Sequence, residues 1–350
     1  MGSDQIMELD LKPLAEKFGF SLKASKLLGR TDREPLYFHV TADFGDERIA
    51  ELFLKQQSKS PEAQIVLQQK FRATGFASIP EFIANPEQYY WIKQDDSYWT
   101  AQNYIQSKPA YDWLNFDCSV EHCALAGRTL ASIHISGAEL LKADPHLSDR
   151  SLKQISAKLQ DRFAPTKERF DDALESIRSG AEGALLRALD TIGALKSEAL
   201  VLRLQKISKE LAKLEQALPL TICHGDFHPG NVLFSKDGPF VVDWDYACIA
   251  SQLYDLSYAL FAFSVQADFS EGGQLFNSLK ASAFLDGYSS AAGVDVVAVM
   301  NQMQYLDTYS EFMYLLLLDW VMGECLNSDS LYKMHAGFGN IALALTYCCQ

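Results

Sequence analysis

The sequence lacks the patterns that mark membrane-spanning, secreted and zinc-binding proteins. It has no run of about 18 uncharged apolar residues, the length that crosses a bilayer, and its longest candidate, residues 313–321, is interrupted by Asp319. Its start shows neither a signal-peptide pattern nor a myristoylation pattern. Its seven cysteines have no CxxC spacing, which favours a reduced protein over a disulfide framework or a zinc site. We therefore expect a cytoplasmic protein that does not span a membrane.

Basic residues are also scarce. The formal net charge is −14, which argues against a nucleic-acid partner. From Asp237 to the end of the sequence there are 13 acidic residues and two basic ones, Lys280 and Lys333, so this segment alone carries a charge of −11. Such a region could attract a cationic substrate, although a solvated acidic surface that aids solubility would have the same composition.

The apolar patterning divides the chain into a β-rich part and a helical part. In the first part the spacing predicts a helix, three strands, a second helix and a strand-rich stretch, over residues 9–19, 22–29, 36–43, 48–56, 61–74 and 79–105. After Trp113 the pattern is mainly helical, and β-like spacing returns only at 220–244. We therefore expect two domains, over residues 1–105 and 106–350.

The segment 223–245 has the strongest functional pattern. It reads CHGDFHPGNVLF, then SKDGP, then FVVDWD. An apolar strand leads into a polar loop whose Pro-Gly pair prevents a helix, and two short apolar runs around a Lys-Asp-Gly turn indicate a hairpin. We expect this hairpin to hold Asn231 and Asp243 beside the loop that contains Asp226.

These three residue types suit phosphoryl transfer. A carboxylate can orient an acceptor hydroxyl and receive its proton, while an amide and a second carboxylate supply the oxygen ligands that Mg2+ prefers. Asp226 and Asn231 are five positions apart, as in the protein-kinase pattern HRDxxxxN, and Asp243 follows twelve positions later, where the Asp of DFG would fall. The spacing alone is weak evidence, but within HGDFHPGNVL and a downstream VVDWD it is specific.

On these residues the chain resembles the aminoglycoside phosphotransferase and choline kinase family of small-molecule kinases. The resemblance is specific over residues 220–258 and elsewhere is a matching order of elements. It implies an α+β, bilobal, protein-kinase-like fold, with a small β-rich N-lobe that binds the nucleotide and a large helical C-lobe that binds the substrate. It also implies ATP and Mg2+ as cofactors, Asp226 as the catalytic base, and Asn231 and Asp243 as magnesium ligands.

The resemblance assigns further candidates for nucleotide binding. Lys55 ends an alternating strand and would reach the α- and β-phosphates, as the strand lysine of kinases does. Glu62, in the next helix, is the acidic candidate for its partner, and Gln64 is an alternative for the same position. Residues 100–106, which include Gln102 and Tyr104, sit where the family has its hinge, whose backbone groups would bind adenine.

Other residues near the motif have weaker or structural assignments. His228 could contact a phosphate or only support the loop, and Asp245 could be a further metal ligand. His134 and Asp255 match family positions with structural roles. The glycine-rich phosphate loop of kinases is missing, because only Gly29 lies between the first two strands.

We therefore expect an ATP- and Mg2+-dependent phosphotransferase that phosphorylates a hydroxyl of a small molecule. The acidic segment favours a cationic acceptor, such as an aminoglycoside, a choline-like amine or an amino alcohol. Homoserine or a sugar is an alternative acceptor, and a bacterial protein Ser/Thr kinase is another reading of the same fold. The latter is disfavoured because no APE motif or long activation segment follows Asp243.

An alternative interpretation from another functional class is that the protein is a non-catalytic, kinase-like binding protein. It predicts the loss of motif residues that are all present here, so we disfavour it. The sequence is compatible with a monomer or a homodimer, for which the charged helical region 150–217 offers a surface.

Overall fold

The computed structural model of the protein consists of two compact units. One comprises Met1–Lys108 and Ser235–Val242, and the other Pro109–Phe234 and Asp243–Gln350. The α+β class predicted from the sequence is confirmed. The structure describes residues 10–29, 36–45, 47–107, 118–147, 152–155, 157, 197–264 and 277–294.

The first unit is built on an antiparallel sheet. Its elements are α1 (Lys12–Lys17), β1 (Ser21–Gly29), β2 (Tyr37–Asp43), β3 (Ile49–Gln57), α2 (Glu62–Ala73), β4 (Trp91–Gln94) and β5 (Ser97–Asn103). The five strands lie in the order β1-β2-β3-β5-β4, and each neighbouring pair is antiparallel. The helices and strands predicted for this part of the chain are confirmed.

Alternation along β2 gives the sheet two different faces. Phe38 and Val40 are buried, whereas the residues next to them along the strand are half-buried. The buried face forms a core with α1, which contributes Leu14. Because side chains alternate along a strand, Tyr37 on β2 lies on the opposite face, where its ring stacks on Phe53 of β3 at 5.6 Å between centroids.

The rest of the described chain is mainly helical. It contains α3 (Val120–Ala143), α4 (Ser197–Ala217), β6 (Leu220–Cys223), β7 (Val232–Ser235), β8 (Gly238–Val241), β9 (Cys248–Ser251), α5 (Gln252–Ser264) and α6 (Ser278–Ala292). Strands β6 and β9 pair antiparallel, and β7 and β8 form the predicted hairpin. No described helix has both the length and the apolar character needed to cross a membrane.

Strand β9 was not predicted, because β-like spacing in the second part of the sequence is confined to residues 220–244. All four residues of Cys248–Ser251 are buried, so the strand has none of the alternation by which half-buried strands are recognised. It pairs with β6 from Leu220↔Ser251 to Cys223↔Cys248. The pairing fixes the start of the loop that follows β6.

Helices α3 and α6 approach each other closely at two glycines. A Cβ atom at Gly127 would overlap the carbonyl oxygen of Phe284, and one at Gly287 would overlap that of Ala124. No larger residue fits at either point without a shift of the backbone. The close approach lets Tyr288 of α6 contact residues on α3 that support the functional site.

Candidate functional site

The loop between β6 and β7 requires a glycine at its second residue. Gly225 has φ +84°, a conformation that residues with a Cβ rarely adopt. A Cβ there would also overlap the carbonyl oxygen of Tyr246. The loop ends in a 3₁₀ turn over Pro229–Asn231, capped by His228, whose Nδ1 accepts a hydrogen bond from the Gly230 N–H at 3.0 Å. This turn places Asn231 back towards the start of the loop.

Asp226, His228 and Asn231 meet within this loop. Asn231 Nδ2 donates to the Asp226 backbone oxygen at 2.9 Å and to its Oδ2 at 3.2 Å. His228 Nε2 lies 3.6 Å from the same Oδ2. Because Nδ1 of His228 accepts a hydrogen bond, the neutral ring must have its proton on Nε2, which faces the carboxylate. The Asp226 side chain is 26% exposed, so it is held in place and still reachable from solvent.

The surroundings of Asp226 favour its charged form. Burial by itself raises the pKa of this carboxyl, but the hydrogen bond and charge of His228, the charge of His224 and a hydrogen bond from Tyr258 outweigh it. The net effect is a pKa below the ordinary value. Asp226 is therefore ionised at neutral pH, as a proton acceptor must be.

Asp255 of α5 anchors the start of the loop. Its Oδ2 accepts the backbone N–H of His224 at 2.6 Å, and its Oδ1 accepts that of Gly225 at 2.8 Å. His134 on α3 contacts Oδ2 through Nε2 at 3.2 Å. Asp255 is only 1% exposed, so these bonds satisfy a carboxylate that would otherwise be costly to bury. The structural assignment made from the sequence for His134 and Asp255 agrees with these contacts.

His134, Cys223 and Asp255 form a compact buried cluster of potential metal ligands. Hydrogen bonds, rather than a metal ion, explain why these three side chains lie together. Burial, with the nearby charge of Asp255, raises the pKa of the Cys223 thiol well above its ordinary value, so Cys223 keeps its proton, and its Sγ donates to the backbone oxygen of Ser251 at 3.6 Å. Both oxygens of Asp255 already accept backbone N–H groups. We therefore read the cluster as a support for the loop.

Asp243 follows β8 in an unusual backbone conformation. Its φ of 62° and ψ of 64° lie in the left-handed region, which is uncommon for a residue other than glycine. The next residue, Trp244, is 1% exposed, and its ring packs edge-on against His224 at 4.9 Å between centroids. The buried ring fixes the segment beside the loop. Asp243 itself is half-buried and Asp245 is exposed.

The oxygen donors of this part of the chain are of the types that a magnesium ion prefers. Both hydrogen bonds of the Asn231 amide use Nδ2, so Oδ1 is the atom that this side chain can offer to a cation. Asp243 and Asp245 add carboxylates. An amide oxygen with carboxylates is a donor set that suits a hard cation, and we propose it below as the metal site.

The nucleotide-binding candidates of the first unit lie on or beside the central strands. Lys55 of β3 pairs with Tyr37 on one side and Thr100 on the other. Gln102 of β5 pairs with Phe53. Because Phe53 and Lys55 are two positions apart on one strand, both lie on the sheet face opposite the α1 core.

Tyr104 and Glu62 lie at the ends of elements. The backbone N–H of Tyr104 donates to the Glu51 backbone oxygen at 3.0 Å, and its ring stacks on His39 at 3.8 Å between centroids. Glu62 is the first residue of α2 and is exposed, whereas the buried polar residue of that helix is Gln68. The pairing of Glu62 with the lysine of β3 stays a prediction.

The sequence analysis missed Tyr258, whose side chain helps to keep the pKa of Asp226 below its ordinary value. It also missed Tyr254, whose hydroxyl donates to the Gly225 backbone oxygen at 3.4 Å. Both tyrosines belong to α5 and are four positions apart, so they share one helix face. That spacing was the available signal, but nothing in the sequence shows which face meets the loop.

The fold is that of the protein-kinase-like small-molecule kinases. The chain belongs to the phosphotransferase enzyme family, whose model matches residues 32–294, more than half of the sequence. The family resemblance inferred from the motif is confirmed.

Curated relatives match part of the chain. The homoserine kinase of Afipia carboxidovorans is 33% identical over 175 residues, which are 49% of this chain and 42% of that protein. The homoserine kinase of Rhizobium etli is 25% identical over 206 residues, 58% of this chain and 53% of that protein. The chain thus spans about half the length of these relatives.

Solved structures match nearly the whole chain at low identity. A spectinomycin phosphotransferase in complex with ADP and spectinomycin is 15% identical, with a TM-score of 0.59 over 96% of this chain and 97% of that one. An ethanolamine kinase of Plasmodium vivax is 12% identical, with a TM-score of 0.57 over 93% of this chain and 82% of that one. Likeness at such identities shows the fold alone.

Proposed function

We propose that this protein is an ATP- and Mg2+-dependent phosphotransferase that phosphorylates a hydroxyl of a small molecule, with Asp226 as the catalytic base. The observation that supports it most is the hydrogen bond from Asn231 Nδ2 to Asp226 Oδ2. It joins a partly exposed, ionised carboxylate to an amide whose remaining oxygen suits Mg2+. The family match covers both residues.

The mechanism follows from the chemistry of these groups. Asp226 accepts a hydrogen bond from the acceptor hydroxyl and orients its oxygen towards the γ-phosphoryl group. It takes the proton as the bond from that oxygen to the γ-phosphorus forms and the bond from the γ-phosphorus to the bridging oxygen breaks, so that ADP leaves. Asn231, Asp243 and Asp245 would hold Mg2+, which neutralises charge on the phosphates when it is bound. Orientation and charge neutralisation account for most of the expected rate enhancement, because phosphoryl transfer needs little covalent chemistry from the protein.

The remaining candidates take roles in nucleotide binding within this proposal. Lys55 binds the α- and β-phosphates, and Glu62 orients it. Gln102 and Tyr104 belong to the segment that binds adenine. His228 has both ring nitrogens directed at loop groups, which favours support of the loop over direct contact with a phosphate. Residues 1–105 would thus bind the nucleotide, and residues 106–350 would supply catalysis and acceptor binding.

For the acceptor we propose a small compound that has both a hydroxyl and a cationic nitrogen group. The curated relatives described above are named homoserine kinases, and one structural neighbour is an ethanolamine kinase. The −11 charge of residues 237–350 also favours a cationic group on the substrate. Homoserine, ethanolamine and choline are therefore the first acceptors to test, with aminoglycosides and sugars after them.

The test is Mg2+-dependent ATP consumption by the pure protein against this panel, with Asp226→Asn beside the wild type. We expect turnover with one acceptor class and a loss of about 10²- to 10⁴-fold in the variant. Asp237→Asn is the matched control, because Asp237 is exposed in the turn between β7 and β8. Turnover that survives Asp226→Asn would refute the base assignment. ATP binding without turnover of any acceptor would favour the non-catalytic alternative.

A further inference from the structure

A series of buried hydrogen bonds runs from α6 to the loop that contains Asp226. The phenol oxygen of Tyr288 lies 2.8 Å from Nδ1 of His134, and the phenol donates to Oε1 of Gln252 at 3.1 Å. The other ring nitrogen of His134, Nε2, lies 3.2 Å from Oδ2 of Asp255. Through one histidine, Tyr288 thus reaches the carboxylate that anchors the start of the loop.

The side chains of this series are shielded from water. Tyr288 is 1% exposed and His134 is 4% exposed. Burial is the main cause that raises the pKa of the Tyr288 phenol above its ordinary value, so the phenol keeps its proton. A buried polar group that loses its partner is costly, because water cannot replace the partner. The groups of the series therefore hold one another in fixed orientations.

We propose that Tyr288 is a positioning residue, which fixes the catalytic loop through His134 and Asp255. The proposal rests on the function proposed above, in which Asp226 is the base. Asp255 accepts the backbone N–H groups of the two residues that precede Asp226, so the orientation of its carboxylate determines where the base begins. By holding the imidazole ring of His134, the phenol limits the positions that the base can adopt.

The contribution of Tyr288 lies in its hydroxyl more than in its ring. Helix α6 comes close to α3 at Gly127 and Gly287, which places Tyr288 beside His134, two turns after Gly127 along α3. The two rings meet edge-on, at 5.7 Å between centroids and 66° between planes. A phenylalanine could keep this packing, but it could not bind a ring nitrogen. Removal of the hydroxyl alone therefore separates positioning from packing.

Tyr288→Phe is the variant that tests the proposal. We expect kcat to fall about tenfold, because a displaced base takes the proton less well. KM for ATP should stay within about twofold of wild type, because the residues proposed to bind the nucleotide keep their contacts. The melting temperature is measured alongside. An unchanged kcat, or a rise in KM for ATP with kcat unchanged, would overturn the proposal.

Ser289→Ala is the matched control on the same helix. It also removes a buried hydroxyl, but Oγ of Ser289 has no hydrogen-bond partner among the residues that the structure describes. We expect this variant to keep the kcat of the wild type. If kcat falls as far as in Tyr288→Phe, the effect comes from the packing of α6 and the proposal is wrong.

A double variant tests whether Tyr288 acts through His134. In His134→Gln the new side chain can keep an N–H donor for Asp255, but it lacks the ring nitrogen that faces Tyr288. We expect Tyr288→Phe to reduce kcat much less in this background than in the wild type, because the two residues belong to one series. Reductions that multiply would mean that Tyr288 acts by another route.

A measurement on the loop itself does not depend on turnover. Hydrogen exchange followed by NMR reports how firmly the backbone N–H groups of His224 and Gly225 are held by Asp255. We expect both to exchange faster in Tyr288→Phe than in wild type and Ser289→Ala, with amides in the middle of α3 as the internal reference. Unchanged exchange overturns the proposal even if the protein is an active kinase. Faster exchange in a protein that turns over no acceptor keeps the contact and refutes the proposed function.

Discussion

Lys55 and Asp226 lie in two regions that are held in place by different kinds of bonds. Lys55 is in the middle of a sheet, where backbone pairing with β2 and β5 fixes its position. Asp226 is in a loop without regular pairing, and side chains hold that loop in place: Asn231 and His228 within the loop, and Asp255 from α5.

The two kinds of bonding predict how each region tolerates substitutions. A backbone ladder does not depend on the identity of any one side chain, so substitutions on the exposed face of the sheet should affect only the function of the group removed. The loop depends on particular donors and acceptors, and each buried one that is lost leaves a partner unsatisfied. Mutations in the loop region should therefore affect stability and activity together.

The largest expected effect is that of Asp255→Ala. The change leaves the backbone N–H groups of His224 and Gly225 without their acceptor and removes the contact of His134 Nε2. We expect a loss of about 3 to 5 kcal/mol in the free energy of unfolding, measured by urea denaturation, together with a loss of turnover. Asp286→Ala is the control, because Asp286 is exposed on α6. Equal effects of the two changes would show that the loop does not need its anchor.

Lys55→Ala should give the next effect, on activity without a comparable loss of stability. We expect kcat/KM for ATP to fall about a hundredfold, because the charge that we propose to bind the phosphates is lost, with little change in the urea midpoint. Lys93→Ala tests a lysine of the same sheet that is exposed on β4. If it reduces kcat/KM as much as Lys55→Ala does, the phosphate-binding role of Lys55 is wrong.

Gly287→Ala tests the close packing of α6 against α3, which supports the loop. The added Cβ would overlap the Ala124 carbonyl oxygen, so α3 and α6 must move apart. We expect a loss of about 2 kcal/mol in the free energy of unfolding. Ser290→Ala, at an exposed position of the same helix, should be nearly neutral. A neutral Gly287→Ala would mean that the two helices are not as close as the structure shows.

The smallest expected effect is on the stability of the folded protein at acidic pH. The pKa of Asp226 in the folded protein lies below its ordinary value of 3.8. Its ionised form therefore adds stability that is fully present above the ordinary value and is lost as the pH falls through the folded-state pKa. The difference in unfolding free energy between wild type and Asp226→Asn should shift against the wild type as the pH falls below that ordinary value. Urea midpoints at several pH values measure it, and a constant difference would contradict the lowered pKa.

Much of the fold could be predicted because its signals are local. Alternation along β2 and β3 predicted their positions and the place of Lys55 on the sheet. The Lys-Asp-Gly turn predicted the hairpin of β7 and β8. The same local reasoning failed for β9, whose four buried residues have no alternation.

The long-range contacts of the hairpin and the loop could not be predicted from local sequence patterns. Val241 of β8 donates its backbone N–H to the Ser78 backbone oxygen at 2.8 Å, across more than a hundred residues of sequence, and no pattern near either residue predicts that bond. The tyrosines of α5 had the spacing of a shared helix face, yet only the folded chain shows that this face meets Asp226.

By itself, the sequence determined the family and the candidate residues Asp226, Asn231 and Asp243, because residue type and spacing along one short segment specify them. Only the tertiary structure decided what surrounds Asp226. Its charge state depends on His228 in the same loop and on Tyr258 in a helix that follows β9. Hydrogen bonds and burial act through space over a few ångströms. Groups that are far apart in the sequence can therefore set the protonation state of a carboxylate, whereas the motif only identifies the residue.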